Sequence, residues 1–417
     1  MKNKYKIIVS MLILIIFLFP ISVYSNDTAY VWCNQSKKID FSKPTNASLP
    51  STSNYTVTDN PLKLESGSAC LMEQSTGLVI YDYNMHEQLR PASVTKIMSI
   101  LLIMEALDSG RISLTDTVAC TEDAAAMGGS QIWLDVRETL TVDEMLKAIC
   151  IVSANDCTVA MANHLEGSQE AFVNKMNGKA KSLGMNDTCF KNCTGLDEDG
   201  HVTSTYDIAV MSRELLLQHP SITKYTTIYM DSLRDGKSSL VNTNKLVKNY
   251  SGCTGLKTGS TSLALYNLSA SATRNNLSLI GVIMKAPTTK IRFAEAQKLL
   301  DYGFNNYEFK TFGSQNDVVK NIKVGKGIQT SLDAVLENDA GVLVKKGSLS
   351  EIQKDINLDE SVTAPIIKGQ KLGEITYSSN GENLGTVSIV ASRDIDKIGF
   401  GAMLKHIYGN WFSLFRV

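Results

Sequence analysis

Apolar and polar positions alternate with different periods along the chain, and the changes of period mark its architecture. Ala69-Cys70-Leu71-Met72 and Leu78-Val79-Ile80-Tyr81 flank Ser75-Thr76-Gly77, which predicts a β-hairpin over 68–83. From Pro91 to about His219 the spacing becomes helical. Apolar residues recur at intervals of three and four over Met145–Val152, Thr158–Leu165 and Ile208–Leu217. The stretch PASVTKIMSILLIMEAL, Pro91 to Leu107, is almost wholly apolar after Lys96 and reads as a buried helix. Strand patterns return at Gly255–Thr261, Ala264–Thr273 and Leu277–Met284, with Arg274-Asn275-Asn276 turning between the last two. A helix is expected over Arg292–Tyr302. A strand pair, then helices, then antiparallel strands predicts an α+β domain with helices packed on a sheet.

After about Asn305 helical periodicity fades. Short alternating segments at Val318–Val324, Val342–Lys345 and Gly373–Tyr377, and the hairpin signal Ser379-Asn380-Gly381 before Leu384–Ala391, predict a small all-β domain over 306–394. The first domain is then 62–305, preceded by a leader over 26–61 rich in Ser, Thr, Asn and Pro.

Both ends carry their own patterns. Lys2, Lys4 and Lys6, the apolar run Ile7–Phe19, Pro20 and the small residue Ser25 follow the order of a secretory signal peptide over 1–25. The run is short of the ~20 residues that a membrane span prefers. Over 395–417, Phe400, Met403, Leu404, Ile407, Tyr408, Trp411, Phe412 and Phe415 recur at helical spacing beside Lys405, His406 and Arg416. That predicts an amphipathic helix lying on a membrane surface, in preference to one docked on the protein's own core.

Composition narrows the field. The 417 residues carry 41 Lys and Arg against 42 Asp and Glu, so no basic face for nucleic acid is expected. Eight cysteines in an exported chain raise the question of disulfides, but in a chain this long they are not required for folding. Cys189 and Cys193 are the pair close enough in sequence for one bridge, and the rest read as small buried hydrophobes. No paired Cys/His spacing points to a metal, and no metal or organic cofactor is expected.

The candidate chemistry lies in three short motifs. Ser93-Val94-Thr95-Lys96 opens the apolar helix after Pro91, which places a serine and a lysine on one face. Burial there lowers the lysine pKa, and a neutral lysine beside a hydroxyl is a general base beside a nucleophile. Ser221-Ile222-Thr223-Lys224 has the same spelling but leads into no buried helix. Ser153-Ala154-Asn155 lies between two helical runs, with Asn155-Asp156 expected to cap the second. Ser378-Ser379-Asn380 repeats its spelling too. Lys257-Thr258-Gly259, followed by Ser260, sits in a strand, where an inward lysine offers a fixed positive charge and the glycine lets another backbone approach.

In this order and spacing the three motifs resemble those of the serine penicillin-recognising enzymes. Arg90-Pro91-Ala92-Ser93-Val94-Thr95-Lys96, Val152-Ser153-Ala154-Asn155-Asp156 and Gly255-Leu256-Lys257-Thr258-Gly259 are similar to those of the D-alanyl-D-alanine carboxypeptidases among the low-molecular-mass penicillin-binding proteins. Gly195-Leu196-Asp197, Gly200-His201, Ser204 and Asp207 extend the likeness from about residue 62 onward. The resemblance implies a β-lactamase/transpeptidase-like fold, peptidoglycan stem peptides as substrate, acylation by β-lactam antibiotics, and a C-terminal helix anchored to the outer face of the cytoplasmic membrane. It implies Ser93 as nucleophile, Lys96 as base and Ser153 as proton relay. Asn155 would orient Lys96 and a substrate amide. Lys257 would keep Lys96 neutral and attract the terminal carboxylate, and Thr258 would add a hydrogen bond, with Gly259 alongside. Arg292 would add charge near that carboxylate site, and the N–H groups of Ser93 and Ser260 would form the oxyanion hole.

A β-lactamase, a D,D-endopeptidase and a non-catalytic cell-wall or β-lactam sensor are the alternatives on this scaffold. No glutamate-bearing deacylation loop is legible for the first, and the intact motif residues weigh against the last. Cys157 and Cys253 flank the motifs, where oxidation would slow acylation unless they are buried spacers. His201 is expected to stabilise a turn, since the serine already has its lysine.

Overall fold

The computed structural model describes residues 60–347, 352–379, 382–399 and 401. The expected signal peptide, the leader to residue 59, Asn380-Gly381 and, Gly401 apart, the aromatic tail from Phe400 onward lie outside them.

The N-terminal hairpin, β1 (Ser68–Glu73) and β2 (Val79–Tyr83), does not stand alone. It joins β3 (Cys253–Thr261), β4 (Leu265–Arg274) and β5 (Leu277–Ala286) in one antiparallel sheet of order β2-β1-β5-β4-β3. The closure between β1 and β5 pairs Ala69 with Ile283 and Leu71 with Gly281. Both faces of this sheet are covered, and the side chains divide by the strand's two-residue period. Cys70, Met72, Ile280, Val282 and Met284 pack into the core formed with the helices of residues 96–216. Ala69, Leu71, Leu279 and Ile283 pack with Leu299, Leu300 and Phe304 on the opposite face. Coverage on both faces explains the unbroken apolar run Leu279–Met284 of β5, whereas β4 sets Asn267, Ser269 and Ser271 between Leu268, Ala270 and Ala272. Asn275 and Asn276 both take left-handed backbone, φ 48° and 63°, as a two-residue hairpin between β4 and β5 requires.

The helices of the first face are α1 (Lys96–Asp108), α2 (Val142–Val152), α3 (Asn155–Glu166), α4 (Gln169–Ser182) and α5 (Thr205–Gln218). A capping box fixes the start of α2: Thr141 accepts from the Glu144 N–H and Glu144 accepts from the Thr141 N–H. The region expected to be helical also contains one small antiparallel pair, Thr117–Ala119 with Thr139–Thr141. Helix α4 had no sequence signature, because it buries only Phe172, Met176 and Ala180 and carries Gly178 in its interior. On the other face lies α6 (Thr289–Asn306), longer than expected at both ends and capped by Thr288 accepting from the Ile291 N–H.

Helix α6 runs directly into β6 (Tyr307–Gly313). Then follow β7 (Val318–Gly325), β8 (Ser331–Leu336), β9 (Ala340–Lys345), β10 (Ile352–Leu358), β11 (Ser361–Thr363), β12 (Lys371–Ser379) and β13 (Glu382–Ala391). Strands β6 and β9 pair, and the other six form a sheet of order β10-β12-β13-β8-β7-β11. Ile322, Leu332, Ile375, Tyr377 and Ile389 fill its core, with the Phe312 ring stacked 4.4 Å from that of Tyr377.

Candidate active site

The nucleophile turn departs from the expected geometry in a useful way. Ser93 is not in the first turn of α1 but in a 3-10 turn, Ala92–Thr95, that leads into it. Residues three apart eclipse in a 3-10 turn, so Lys96 reaches back and its Nζ lies 3.0 Å from Ser93 Oγ. The Lys96 side chain is completely buried, 0 % exposed, and also donates to the Thr194 carbonyl at 2.7 Å. Burial, and then the charge of Lys257, hold its pKa well below the ordinary lysine value. Expected here was orientation of Lys96 by Asn155; the observed second partner is the Thr194 carbonyl.

The loop that supplies Thr194 is pinned against the turn. Asn192 Oδ1 accepts from the N–H groups of Thr194 and Gly195, and Gly195 has φ +87°. A Cβ at Gly195 would sit 1.9 Å from the Ala92 carbonyl oxygen, so only glycine allows this approach. His201 joins the same two segments: the Lys191 N–H donates to its Nδ1, and its Nε2 lies 2.9 Å from Thr95 Oγ1. Burial pushes its pKa down to about 4, so it is a neutral tether between loop and turn.

Ser153 ends α2 in left-handed backbone, φ 67°, and Asn155 begins α3. The Asn155 side chain is not a cap. Its Nδ2 donates to the Gly128 carbonyl at 2.7 Å, and its N–H donates to the Ser130 carbonyl at 2.7 Å. Ser153 Oγ and Asn155 Oδ1 are buried without a hydrogen-bond partner. Such orphans are costly, and two of them in one motif mark atoms available to a substrate. Asp156, adjacent, accepts from the N–H groups of Ile132 and Leu134 at 3.1 Å each and fixes the loop that Asn155 touches.

Lys257 lies in β3, the sheet's outer strand among the described residues. It too is buried, and burial brings its pKa down to about 7. The expectation of a fixed charge is thus corrected: near neutral pH this lysine is partly protonated, and a bound carboxylate would raise its pKa. Its Nζ donates to the Thr258 carbonyl at 2.9 Å. Thr258 Oγ1 donates to Thr243 Oγ1 at 2.8 Å, and the Thr243 N–H donates to the Ile151 carbonyl, which ties β3 to the end of α2 that carries Ser153. Gly259 makes the closest approach: a Cβ there would lie 2.9 Å from the Pro91 oxygen and from the Ser93 and Val94 nitrogens. Gly129, in turn, lies against both Asn155 and Leu196. Through these contacts the three motifs converge. Ser260 follows, exposed.

Arg292 on α6 reaches the back of this strand. Its Nη1 donates to the carbonyls of Gly259 at 3.2 Å and Asn267 at 3.3 Å, beside the rings of Tyr266 and Phe293. Burial lowers its pKa to about 10, and its Nε has no partner. Sequence reasoning missed Asn267, whose Nδ2 donates to the carbonyls of Arg90 and Pro91 at 2.9 Å and hangs the nucleophile turn from β4. An amide between Tyr266 and Leu268 in a strand was the signal. It also missed Arg234, which holds Glu138 and the Ile132 carbonyl and so braces the loop beside Asn155.

The cysteines are bystanders by geometry. All seven within the described residues are free thiols, Cys189 and Cys193 included, so the bridge allowed between that pair is not formed. Cys157 is fully buried, which pushes its thiol well above the usual range, and burial raises Cys253 to about 11.

Residues 54–288 match the family described as D-alanyl-D-alanine carboxypeptidase, and residues 307–397 match the penicillin-binding protein 5 C-terminal domain. The chain belongs to the D-alanyl-D-alanine carboxypeptidase family. It is 47% identical over 351 residues to the D-alanyl-D-alanine carboxypeptidase DacF of Bacillus subtilis, covering 83% of this chain and 90% of that one. The crystal structure of penicillin binding protein 5 from Haemophilus influenzae superposes with a TM-score of 0.67 at 30% identity, covering 80% of this chain and 98% of that one. Penicillin-Binding Protein D2 from Listeria monocytogenes, in its ampicillin-bound form, is similar over 58% of this chain and 99% of its own, with a TM-score of 0.54 at 29% identity. As a carboxypeptidase of this family, the chain has the α+β peptidase fold followed by the all-β domain.

Proposed function

We propose that the chain is a serine-type D-Ala-D-Ala carboxypeptidase that trims the terminal D-alanine from peptidoglycan stem pentapeptides and is acylated by penicillins. The observation that carries the proposal is the buried Lys96 Nζ, 3.0 Å from Ser93 Oγ, with its ammonium form disfavoured by burial and by Lys257. Ser93 Oγ attacks the carbonyl of the penultimate D-alanine as Lys96 Nζ accepts its proton. The N–H groups of Ser93 and Ser260 receive the developing oxyanion. The proton that Lys96 took passes through Ser153 Oγ to the leaving nitrogen as the C–N bond breaks and D-alanine departs, which leaves Lys96 neutral again. Water, deprotonated by the same lysine, then cleaves the ester. Lys257 and Thr258 hold the terminal carboxylate, Asn155 Oδ1 accepts from a substrate amide, and Arg292 keeps Gly259 in place behind the strand.

The lysine-rich, apolar N-terminus supports export, and the aromatic tail supports a peripheral hold on the outer face of the cytoplasmic membrane. No described helix is long and apolar enough to cross a membrane.

Incubation with a pentapeptide and a cross-linked peptide dimer, with products weighed by mass spectrometry, tests the reading. D-alanine release from the pentapeptide is expected, falling by about 10⁴-fold or more in Ser93→Ala. A long-lived penicillin adduct on Ser93 is the companion result. Rapid penicillin hydrolysis without D-alanine release would convert the proposal to a β-lactamase.

A further inference from the structure

The β domain carries an exposed apolar and basic surface that the peptidase reaction does not use. Ile328 and Ile367 are 64% and 71% exposed. They lie far apart in sequence but on loops that the backbone laces together. The Ile328 N–H donates to the Asp396 carbonyl and the Ile398 N–H to the Lys326 carbonyl. Ile366 and Ile395 exchange hydrogen bonds, and the Ala364 N–H donates to the Gly325 carbonyl. Residues 325–328, 363–369 and 391–398 therefore form one end of the domain. Its neighbouring side chains Ile366 and Ile395 are buried, so the exposure of Ile328 and Ile367 is not a matter of loose loops.

Around the two isoleucines stand Lys326, Lys368 and Lys397, all exposed and making no ion pair among the described residues, together with exposed Arg393. The carboxylates on the same end are Asp394, which accepts from the Lys368 N–H, and Asp396. Four cations against two anions leave an excess of positive charge around an apolar pair. The chain leaves this end at Lys397 and within a few residues enters the aromatic tail, Phe400 to Phe415.

We propose that this end of the β domain is itself a membrane-docking face for anionic lipid. Ile328 and Ile367 enter the interfacial layer and Lys326, Lys368 and Lys397 meet the headgroup phosphates. Apolar burial and attraction to anionic lipid act together on such surfaces, and each alone is weak. The face would hold the β domain down on the bilayer where the tail emerges, so that the domain does not swing freely on a tether. This rests on the reading that the tail lies on a membrane, and it assigns a second, folded contact beside it.

The test uses the full chain and co-sedimentation with vesicles of phosphatidylcholine, with or without about 30% phosphatidylglycerol. The variants are Ile328→Asp with Ile367→Asp, Lys326→Glu with Lys368→Glu and Lys397→Glu, and, for the tail, Trp411→Asp with Phe412→Asp. The first is expected to lower partition onto anionic vesicles about tenfold and the second about 100-fold or more. Melting temperature and D-alanine release from a soluble pentapeptide should stay unchanged, and the loss in the charge variant should vanish on phosphatidylcholine alone. Unchanged partition in both, with loss confined to the tail variant, overturns the proposal and leaves the tail as the whole anchor. Tighter partition of the isoleucine variant also overturns it, because the patch would then be where the tail folds back. A tail variant that binds like the parent refutes the tail reading alone, and the face is then judged on its own two variants. Absence of parent binding to either vesicle refutes both.

Discussion

Ser93-Val94-Thr95-Lys96 and Ser221-Ile222-Thr223-Lys224 share more than their spelling. Each follows a proline, and each passes through a 3-10 turn into a helix: Ala92–Thr95 into Lys96–Asp108, and Pro220–Ile222 into Thr223–Thr226. Their surroundings differ completely. Lys96 is walled in by the Thr194 loop and by β3, whereas Lys224 is exposed, its Nζ 4.7 Å above the ring of Tyr225. Local sequence can therefore build the turn twice, but a general base arises only where distant segments exclude water from it. What separates the two is Gly195, Lys257 and Gly259, none of them near Ser93 in sequence.

The contrast is steepest at the lysines themselves. Lys96→Ala is expected to lower kcat/KM for D-alanine release by about 10³-fold or more, and Lys96→Arg not to restore it, because a guanidinium does not give up its proton. Lys224→Ala should stay within about twofold of the parent. Comparable losses at both positions would mean that burial does not confer the activity.

Next come the glycines that let the walls close. Gly195→Ala places a methyl 1.9 Å from the Ala92 carbonyl oxygen at φ +87°, so the nucleophile turn must move. Activity should fall about 100-fold, since small misplacements of reacting groups are costly, with a stability loss of about 1–3 kcal/mol. Gly110→Ala is the control: its φ of +72° is similar, but nothing lies within 4 Å of the added methyl. It should lose stability by denaturant titration and keep its activity.

How much of this was legible beforehand follows from the same contrast. Periodicity located the helix after Lys96, the strands around Lys257 and the β domain's alternation, because each buries a regular stripe or face. It could not show that β1 closes onto β5 across the whole domain, since register between distant strands is a tertiary fact. The motif residues were legible as chemistry. Their supports were not: Thr194 contributes a carbonyl, which every residue has, and Asn267 and Arg234 act on backbone atoms of remote segments. The burial of Lys257 was not legible either, because segments remote in sequence set it and not its own strand.

The burial of Lys257 and Lys96 makes both activity and stability depend on pH. Lys96 acts only when neutral, so acylation rises as pH rises through its pKa, and the charge on Lys257 helps keep that pKa low. Lys257→Gln removes the charge, so Lys96 holds its proton to higher pH. The acid limb of fluorescent-penicillin acylation should move to higher pH. Stability gives the matching sign. Lys257 titrates at about 7 in the fold against 10.5 when solvated, so between these values the unfolded chain binds more protons and stability rises with pH. At most about 5 kcal/mol is at stake. Lys257→Gln should flatten that rise in a series of denaturant titrations, while Lys224→Gln leaves both the limb and the slope where they were.

The cysteines show the same contrast from the other side: burial near the site does not by itself create reactivity. Cys157 directly follows Asp156 and is as buried as Lys96, yet burial has opposite consequences for the two groups. Desolvation favours whichever form is neutral. For a lysine that is the reactive amine, and for a cysteine it is the unreactive thiol. Cys253 is partly exposed, but its thiol is also held up, to about 11, and leans on the Gly255 carbonyl 3.5 Å away. Neither offers a thiolate at neutral pH. Cys157→Ser and Cys253→Ser should each release D-alanine within about twofold of the parent, and reductant should change none of the three rates. Thiol labelling in the folded state should be slow at both positions. Inactivation of the parent by mild oxidant, absent in Cys253→Ser, would show that the upper end of β3 opens more than its packing against Thr226 and Ser271 implies.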